Sequence, residues 1–268
     1  MQENKVPHIS FSELKNWNTC PYYHKLVNLD KIKLFQGNQY TAFGTALHEV
    51  CERKLLDSST NEIDTFENSF LEELKKLPKE VVEGLDRKQV EAMREAGRVL
   101  SEKAIPALND YFPDGYELLQ TEEEIMEDIE QHEDYRFKGF IDLVVKTPDG
   151  KVHIIDWKTC SWGWNMNKRT DPMTTYQLTY YKHFYAKKHN VEPSDIQTHF
   201  ALLKRTAKKD HVEFFLVSSG NKKTNNALKL LDKALYNIKN ENYVKNRLAC
   251  HGQYGACEFY NTKHCDRT

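Results

Sequence analysis

The sequence contains no long hydrophobic run. Its uninterrupted apolar stretches fall far short of the roughly 18 residues that cross a membrane, so we expect no membrane span. The opening residues, Met-Gln-Glu-Asn-Lys, are not followed by an apolar segment, which argues against a secretory signal peptide. Internal repeats and low-complexity tracts are lacking as well. Together these absences predict an intracellular, cytoplasmic globular protein.

The chain also has little net charge. It carries 38 Lys and Arg residues against 40 Asp and Glu residues, a formal net charge of −2. Such a balance neither favours nor excludes a nucleic-acid partner, and any basic binding groove has to be local. Hydrophobic residues make up 39% of the 268 residues and aromatic residues 12%. This is enough apolar material for a core, which excludes global disorder.

The hydrophobic periodicity changes along the chain from helical to strand-like. Residues 43–57 predict a helix that carries His48, and residues 58–112 predict a helical insertion. Residues 113–217 predict a core of strands and one helix, which ends before a polar helix at 222–241. The strands expected in this core are 116–125, 135–146, 152–157, 196–203 and 212–217, with a helix at 174–189. The order favours a single α/β domain with a central mixed sheet flanked by helices.

Two carboxylates interrupt neighbouring predicted strands. Asp156 ends the apolar strand 152–157, and Lys158 lies on the same face because alternate residues of a strand share a face. Asp142 lies in the strand before, and the turn 147–150, with its Pro and Gly, makes the two strands a hairpin. Two acids with a nearby lysine suit a hard divalent cation and an activated water. A strand-end acid satisfied by backbone donors is the alternative for Asp142.

Other polar side chains are weaker candidates. His48 lies on a half-apolar helix, where a lone histidine is more often structural than a ligand. Glu123 or Glu124, in the strand before Asp142, is a candidate supporting acid. The charged run Glu122–Glu124 is nevertheless typical of a solvated sheet edge.

Four motifs occur in one order along the chain. They are Gly44-x-x-x-His48, Gly139-Phe-Ile-Asp142, Ile155-Asp156-Trp157-Lys158-Thr159 and Gln177-x-x-x-Tyr181. This set resembles the RecB-like nucleases of the PD-(D/E)XK superfamily. The resemblance implies a restriction-endonuclease-like fold, which is a three-layered α/β core with a central mixed sheet flanked by helices.

The same resemblance assigns roles to the motif residues. It implies that Mg²⁺ or Mn²⁺ is bound by His48, Asp142, Asp156 and the backbone carbonyl of Trp157. It also implies that Lys158 positions or activates the attacking water. Gln177 and Tyr181 are expected to hold the substrate or the geometry of the site.

Cysteines are concentrated at the two ends of the chain. One stands before Pro21 and three lie in the last 19 residues: Cys20, Cys250, Cys257 and Cys265. If the chain ends meet, four thiolates suit Zn²⁺ or an iron–sulfur cluster. His251 and His264 keep a Cys/His zinc site open, and free cysteines in a loose tail are the remaining alternative. Cys51 and Cys160 lie inside predicted elements and are interpreted as ordinary small buried residues.

The early Cys-Pro pair and the three late cysteines resemble the iron–sulfur subgroup of these nucleases. That subgroup includes the nuclease domain of AddB, the CRISPR-associated RecB-like exonucleases and similar phage chains. The resemblance implies a [4Fe–4S] cluster, with zinc as the alternative, that clamps residues 1–30 to residues 245–268. The phage likeness extends the localisation to a virus-encoded protein acting in a host cell.

The expected partner is DNA. Trp162 and Trp164 follow the catalytic strand in a Gly-broken segment and are candidates for stacking on the bases of a single strand. By family analogy, we expect a DNA exonuclease that attacks single-stranded ends in the 5′ to 3′ direction. The alternatives are an endonuclease using the same site, a redox sensor built on the cluster, and a non-catalytic DNA-binding partner of a helicase, recombination or CRISPR-adaptation complex.

Overall fold

The computed structural model describes residues 6–252 and 255–266. Its α-helices are α1 (Phe11–Thr19), α2 (Pro21–His24), α3 (Gln39–Leu56), α4 (Glu62–Lys75), α5 (Lys79–Glu83), α6 (Arg87–Tyr111), α7 (Met166–Thr170), α8 (Pro172–His189) and α9 (Asn221–Lys239). Its strands are β1 (His8–Ser10), β2 (Glu117–Ile129), β3 (His132–Lys146), β4 (Val152–Cys160), β5 (Ile196–Lys204), β6 (Val212–Leu216), β7 (His251–Gly252) and β8 (Gly255–Ala256). No helix within these ranges is long and apolar enough to cross a membrane.

The chain divides into two compact units. The core unit consists of Gln36–Glu124 and Phe140–Ser219, and the terminal unit of Met1–Phe35, Ile125–Gly139 and Gly220–Thr268. The predicted helical insertion lies in the core unit. Each unit is assembled from separated stretches of chain, and the expectation of a single nuclease domain stays a prediction.

The core unit is built on a mixed sheet. β3 and β4 form an antiparallel hairpin that pairs Leu143 with Ile155, and the Gly150 N–H closes its turn by donating to Thr147 O at 2.9 Å. β4 runs parallel to β5, and β5 runs antiparallel to β6. The predicted hairpin and mixed sheet are confirmed. The predicted end of β4 is wrong by three residues, because the strand pairs with β5 as far as Cys160.

Helices cover one face of this sheet with a continuous apolar core. The alternate strand residues that pack with α3, α4 and α6 are at most 2% exposed: Leu143, Val145, Ile155, Trp157, Ala201 and Leu203. α6 approaches α4 at Gly97, where a Cβ atom would lie 1.9 Å from the Phe66 ring. The intervening strand residues are buried as well, and α8 packs against β4 and β5. This is the predicted α/β sheet flanked by helices.

The first long helix begins earlier than its hydrophobic periodicity indicates. α3 starts at Gln39 rather than at residue 43. Asn38 Oδ1 accepts hydrogen bonds from the backbone N–H groups of Tyr40 and Thr41, both at 3.0 Å. The predicted start is wrong because this cap uses Asn and Thr, whereas the usual capping box is Ser or Thr followed by Glu.

The terminal unit contains the predicted capping box. Ser10 Oγ accepts from the Glu13 N–H at 3.2 Å, and Glu13 Oε2 accepts from the Ser10 N–H at 2.9 Å, so that α1 begins at Phe11. β1 lies parallel to the first part of β3 and pairs Ile9 with Phe137. Within residues 240–252 and 255–266, after α9, the elements are all short, as the weak periodicity of the tail predicts.

Candidate functional site

The β3–β4 hairpin brings the two predicted carboxylates together. Because Leu143 pairs with Ile155, Asp142 and Asp156 occupy the next positions on the two strands. Asp142 Oδ2 accepts a hydrogen bond from the Trp157 backbone N–H at 2.7 Å. One donor uses only part of the acceptor capacity of a carboxylate. Asp142 therefore accepts a backbone hydrogen bond and also lies opposite the second acid, Asp156.

Asp156 is buried, with 1% of its surface exposed. Its Oδ1 accepts from Gln177 Nε2 at 2.8 Å, and the same amide nitrogen donates to the Tyr181 hydroxyl at 3.2 Å. Lys158 Nζ lies 2.6 Å from Asp156 Oδ2. Among the described residues, this oxygen has no partner with the angles of a hydrogen bond. The predicted placement of Lys158 on the same face as Asp156 is confirmed.

α3 places His48 beside the first acid. Its Nδ1 lies 3.5 Å from Asp142 Oδ2, which is longer than a good hydrogen bond. A carboxylate oxygen of Glu122, from β2, completes a group of three ligand-type atoms that all lie within 4.8 Å of one another. A cavity of about 580 Å³ lies beside them and is lined by Gly44, Thr45, His48, Glu49, Glu52, Arg53 and Glu122.

The charged groups of the site shift one another's pKa values. Burial raises the pKa of Asp156 to about 6 against the attraction of the Lys158 ammonium, and repulsion from Asp142 adds to the rise. Burial acts in the same direction on Asp142, but His48 and Lys158 outweigh it and lower the pKa of that acid. Burial opposes the charge of Lys158, yet the two carboxylates raise its pKa. The amine is therefore held as an ammonium.

The donor set fits a hard divalent cation. One imidazole and two carboxylates, from His48, Glu122 and Asp142, offer nitrogen and oxygen ligands of the kind that Mn²⁺ and Mg²⁺ accept. Partial burial raises the pKa of Glu122, and repulsion from Asp142 raises it further. A cation among these groups would relieve that repulsion. Asp156 lies outside this group of three. Metal binding by His48, Asp142, Asp156 and the Trp157 carbonyl stays a prediction.

Sequence reasoning missed Glu122. The prediction that Glu122–Glu124 forms a solvated edge is wrong for its central residue. Glu123 is 7% exposed, and its Oε1 lies 2.7 Å from Lys188 Nζ and 2.8 Å from His189 Nε2. The alternation of β2, which buries every second residue here, is the signal that finds this buried acid. No comparable signal in the sequence places the Glu122 carboxylate beside the α3 histidine.

The two predicted stacking residues have different environments. Trp162 is 68% exposed. Trp164 packs edge-on against Phe200 and Phe215, with ring centroids 5.0 and 5.9 Å away. Lys168 Nζ lies 4.5 Å from the Trp164 ring, and the indole N–H is buried without a partner in the described part of the chain. Only Trp162 therefore presents an open face to a base.

All four predicted cluster ligands line one cavity in the terminal unit. This cysteine cavity has a volume of about 460 Å³ and is lined by Cys20, Cys250, Cys257 and Cys265 together with aromatic side chains. The Asn246 N–H donates to Cys20 Sγ at 3.3 Å. Within residues 6–252 and 255–266, no three sulfurs lie within 4.8 Å of one another. A tetrahedral zinc would hold them about 3.8 Å apart, so the thiols surround a space without forming a closed zinc site.

The other cysteine and histidine candidates, Cys51, Cys160, His251 and His264, do not belong to a group of three ligand-type atoms among the described residues. Cys51 is 1% exposed in the core, as predicted, whereas Cys160 is only half-buried. The His251 ring packs against Tyr260, and the His264 ring against Phe259. In the described chain, neither histidine joins two cysteines at ligand spacing.

Known proteins share the fold of this chain. The family model of the PD-(D/E)XK nuclease superfamily matches residues 8–266. A solved structure from Eubacterium rectale, named "Putative exonuclease", is 13% identical with a TM-score of 0.54 and covers 90% of this chain and 84% of that chain. The structure of SSO0001 is 14% identical, covers 88% of this chain and 77% of that chain, and has a TM-score of 0.40. No curated protein matches the sequence.

Proposed function

Because the chain belongs to the PD-(D/E)XK nuclease superfamily, we propose that it is a metal-dependent deoxyribonuclease that hydrolyses phosphodiester bonds at DNA ends. The observation that carries the proposal is the pair of carboxylates on β3 and β4. Lys158 lies 2.6 Å from Asp156, and His48 lies beside Asp142. A protein that only binds DNA has no need of a buried acid–lysine pair, which is costly to form in a core.

The predicted ligands of Mg²⁺ or Mn²⁺ are His48, Asp142, Asp156 and the Trp157 carbonyl. When bound, such a cation neutralises charge on the scissile phosphate and lowers the pKa of a bound water. The chain itself fixes the ligands in place. Asp142 is held by the Trp157 N–H, and Asp156 is held by the Gln177 amide. Gln177 and Tyr181 thus act as positioning residues, through the carboxylate that they orient.

Lys158 is proposed to act through its charge rather than as a base. The carboxylates of Asp156 and Asp142 raise its pKa, so the amine already carries its proton. An ammonium can donate hydrogen bonds to a phosphate oxygen and stabilise the negative charge that develops there during hydrolysis. The Lys158 side chain is 32% exposed and is therefore within reach of a substrate.

Single-stranded DNA ends are the proposed substrate. The exposed face of Trp162, after the end of β4, supports stacking on an unpaired base. The name of the Eubacterium rectale protein and the resemblance to RecB-like enzymes favour exonucleolytic action, with 5′ to 3′ polarity by analogy. Action beside a helicase, in repair, recombination or CRISPR adaptation, belongs to the same proposal.

The cysteine cavity supports a structural [4Fe–4S] cluster. No three of its sulfurs lie within 4.8 Å of one another in the described part of the chain, and in such a cluster each cysteine binds a different iron. Zinc is the alternative occupant. Protein purified without oxygen should contain iron and acid-labile sulfide and should absorb broadly in the visible. One zinc and no iron per chain would contradict the cluster.

A cleavage assay tests the nuclease proposal. The protein is incubated with 5′-labelled and 3′-labelled oligonucleotides, linear duplex and closed single-stranded circles, each with Mg²⁺, Mn²⁺ or EDTA. We expect metal-dependent digestion of linear single strands, with mononucleotides or short products released first from the 5′ label. Cleavage of closed circles would replace the exonuclease with an endonuclease, and intact linear strands under all conditions would contradict a nuclease.

A further inference from the structure

Three separate elements bring ligand atoms to one point of the core unit. His48 comes from α3, Asp142 from β3 and Glu122 from β2, and one donor atom of each lies within 4.8 Å of the other two. Atoms that bind the same cation must lie within a few ångströms of one another, and these three atoms satisfy that condition. Glu122 is not among the metal ligands that the nuclease motifs imply.

The backbone at Glu122 is unusual. Its φ of 47° is in the left-handed region, although it is not a glycine and lies inside a 13-residue strand. Thr121 and Glu123, on either side, are both buried. Left-handed backbone is uncommon for a residue with a side chain and marks a local departure from extended strand geometry. The strand therefore departs from extended geometry at the one residue whose carboxylate meets His48 and Asp142.

The charges of the site favour a second carboxylate ligand. Asp156 already faces the Lys158 ammonium at 2.6 Å and accepts a hydrogen bond from Gln177. A histidine binds a metal ion as the neutral imidazole, so Asp142 alone would offer a single carboxylate charge beside it. With Glu122 the group offers two negative charges, which matches a divalent ion.

We propose that Glu122 is a direct ligand of the divalent cation, in addition to His48 and Asp142. This inference rests on the proposed metal-dependent nuclease. The ion would then be held partly by β2, a strand that carries none of the four motifs. Hard divalent ions accept six or more ligands, so a third protein carboxylate is compatible with the ligands predicted from the motifs.

Metal binding in the absence of DNA tests the proposal. The wild type, Glu122→Gln, Glu52→Gln and Glu117→Gln are titrated with Mn²⁺ and followed by calorimetry and by the electron paramagnetic resonance of free Mn²⁺. Glu52 lines the same cavity, so its variant removes an equal charge without removing a member of the group. Glu117 is exposed at the start of the same strand. Unchanged thermal melting of the metal-free variants confirms that each is folded.

We expect Glu122→Gln to weaken Mn²⁺ binding by about 10-fold to 100-fold, and the two control variants to change it by less than about threefold. Glu122→Gln that binds Mn²⁺ as the wild type does, or no more weakly than Glu52→Gln, would overturn direct ligation. If the wild type digests DNA in that case, the nuclease proposal still holds. The opposite result, Glu122-dependent binding in a protein that cleaves no DNA, would overturn the nuclease and leave the ligand in place.

Discussion

The carboxylate site and the cysteine cavity are stabilised in different ways. Asp142 and Asp156 lie on paired strands, and both are bonded by neighbouring groups of the core unit: the Trp157 N–H, Gln177 and Lys158. The four cysteines lie instead at the start of a four-residue helix, in a 3₁₀ turn and in a tail of two-residue strands. They surround a cavity of about 460 Å³.

This difference predicts a catalytic role for the metal at one site and a structural role for the metal at the other. The carboxylates are positioned by apolar packing and by hydrogen bonds, so we expect their arrangement to persist without an ion. The cysteine-bearing tail has few periodic apolar residues, and metal ligation can supply on the order of 10 kcal/mol to a small element of this kind. We therefore expect the first site to lose activity without its metal, and the second to lose structure.

The largest expected effect is on the cysteine cavity. If the proposed cluster orders the tail, Cys250→Ser should remove the cluster and expose residues 245–252 and 255–266, at a cost on the order of several kcal/mol to that segment. Hydrogen exchange of backbone amides in the tail measures the loss. Cys160→Ser, at a half-buried cysteine outside the cavity, is the matched control and should keep both colour and protection.

The same experiment can contradict the proposed difference between the two sites. If Cys250→Ser protects its tail amides as well as the wild type does, the tail is ordered by its own contacts and the cavity needs no inorganic centre. EDTA at a concentration that removes Mg²⁺ and Mn²⁺ should leave the exchange of the core unit unchanged. Core strands that open on this treatment would show that the carboxylate site depends on its metal for structure too.

A smaller effect is expected where the helices of the core unit meet. Gly97→Ala should destabilise the protein by about 1–3 kcal/mol, since its Cβ would lie 1.9 Å from the Phe66 ring and the packed core must shift. Urea unfolding of the metal-free protein measures the free energy. Gly44→Ala is the control, because a Cβ there meets Thr159 Oγ1 only at 3.5 Å. Equal stability of the two variants would mean that α4 and α6 are not closely packed.

The last effect on stability concerns pH, and it is spread over several pH units. His199 is 2% exposed, with Nε2 3.0 Å from His153 Nδ1 and Nδ1 3.1 Å from the Tyr111 hydroxyl. Burial, and then the His153 charge, lowers the pKa of His199 to about 3. The unfolded chain therefore binds a proton that the folded chain does not. Its contribution to stability is complete above about pH 6.5 and is lost as the pH falls toward 3, by up to about 1.4 kcal/mol per pH unit.

Chemical unfolding at pH values between 7 and 4.5 checks this slope. His199→Gln should flatten it, whereas His211→Gln, at a half-buried histidine in the loop before β6, should not. A wild-type free energy of unfolding that is constant over this range would contradict a neutral buried His199.

The carboxylate site could be predicted from the sequence because its determinants are local. Strand alternation places Asp156 and Lys158 on one face, and the turn after β3 sets the register that brings Asp142 to them. Glu122 could not be predicted, because the left-handed backbone that interrupts β2 leaves no mark in a run of three glutamates. The burial of Glu123 could have been predicted from the alternation of buried residues along β2. It was missed because the charged run was interpreted as a solvated surface.

Features that depend on distant parts of the chain were predicted less well. Trp164 is enclosed by Phe200 and Phe215, which follow it by more than 30 residues, so its exposure could not be judged from the Gly-broken segment around it. The cysteine spacing indicated that the chain ends meet, and all four thiols do line one cavity. The distances between the sulfurs, which decide between a single ion and a cluster, are not contained in that spacing.

The most direct test of the central claim compares two aspartates of one hairpin. Asp142→Asn and Asp149→Asn remove the same charge, one at the carboxylate site and one in the exposed turn. Digestion of single-stranded DNA is measured at saturating Mn²⁺, alongside the thermal melting of each variant. We predict that Asp142→Asn lowers the rate by about 10²–10³-fold, equivalent to about 3–4 kcal/mol, with little change in melting, and that Asp149→Asn digests DNA as the wild type does. An Asp142→Asn variant that digests DNA at the wild-type rate would contradict the claim that this site performs the hydrolysis.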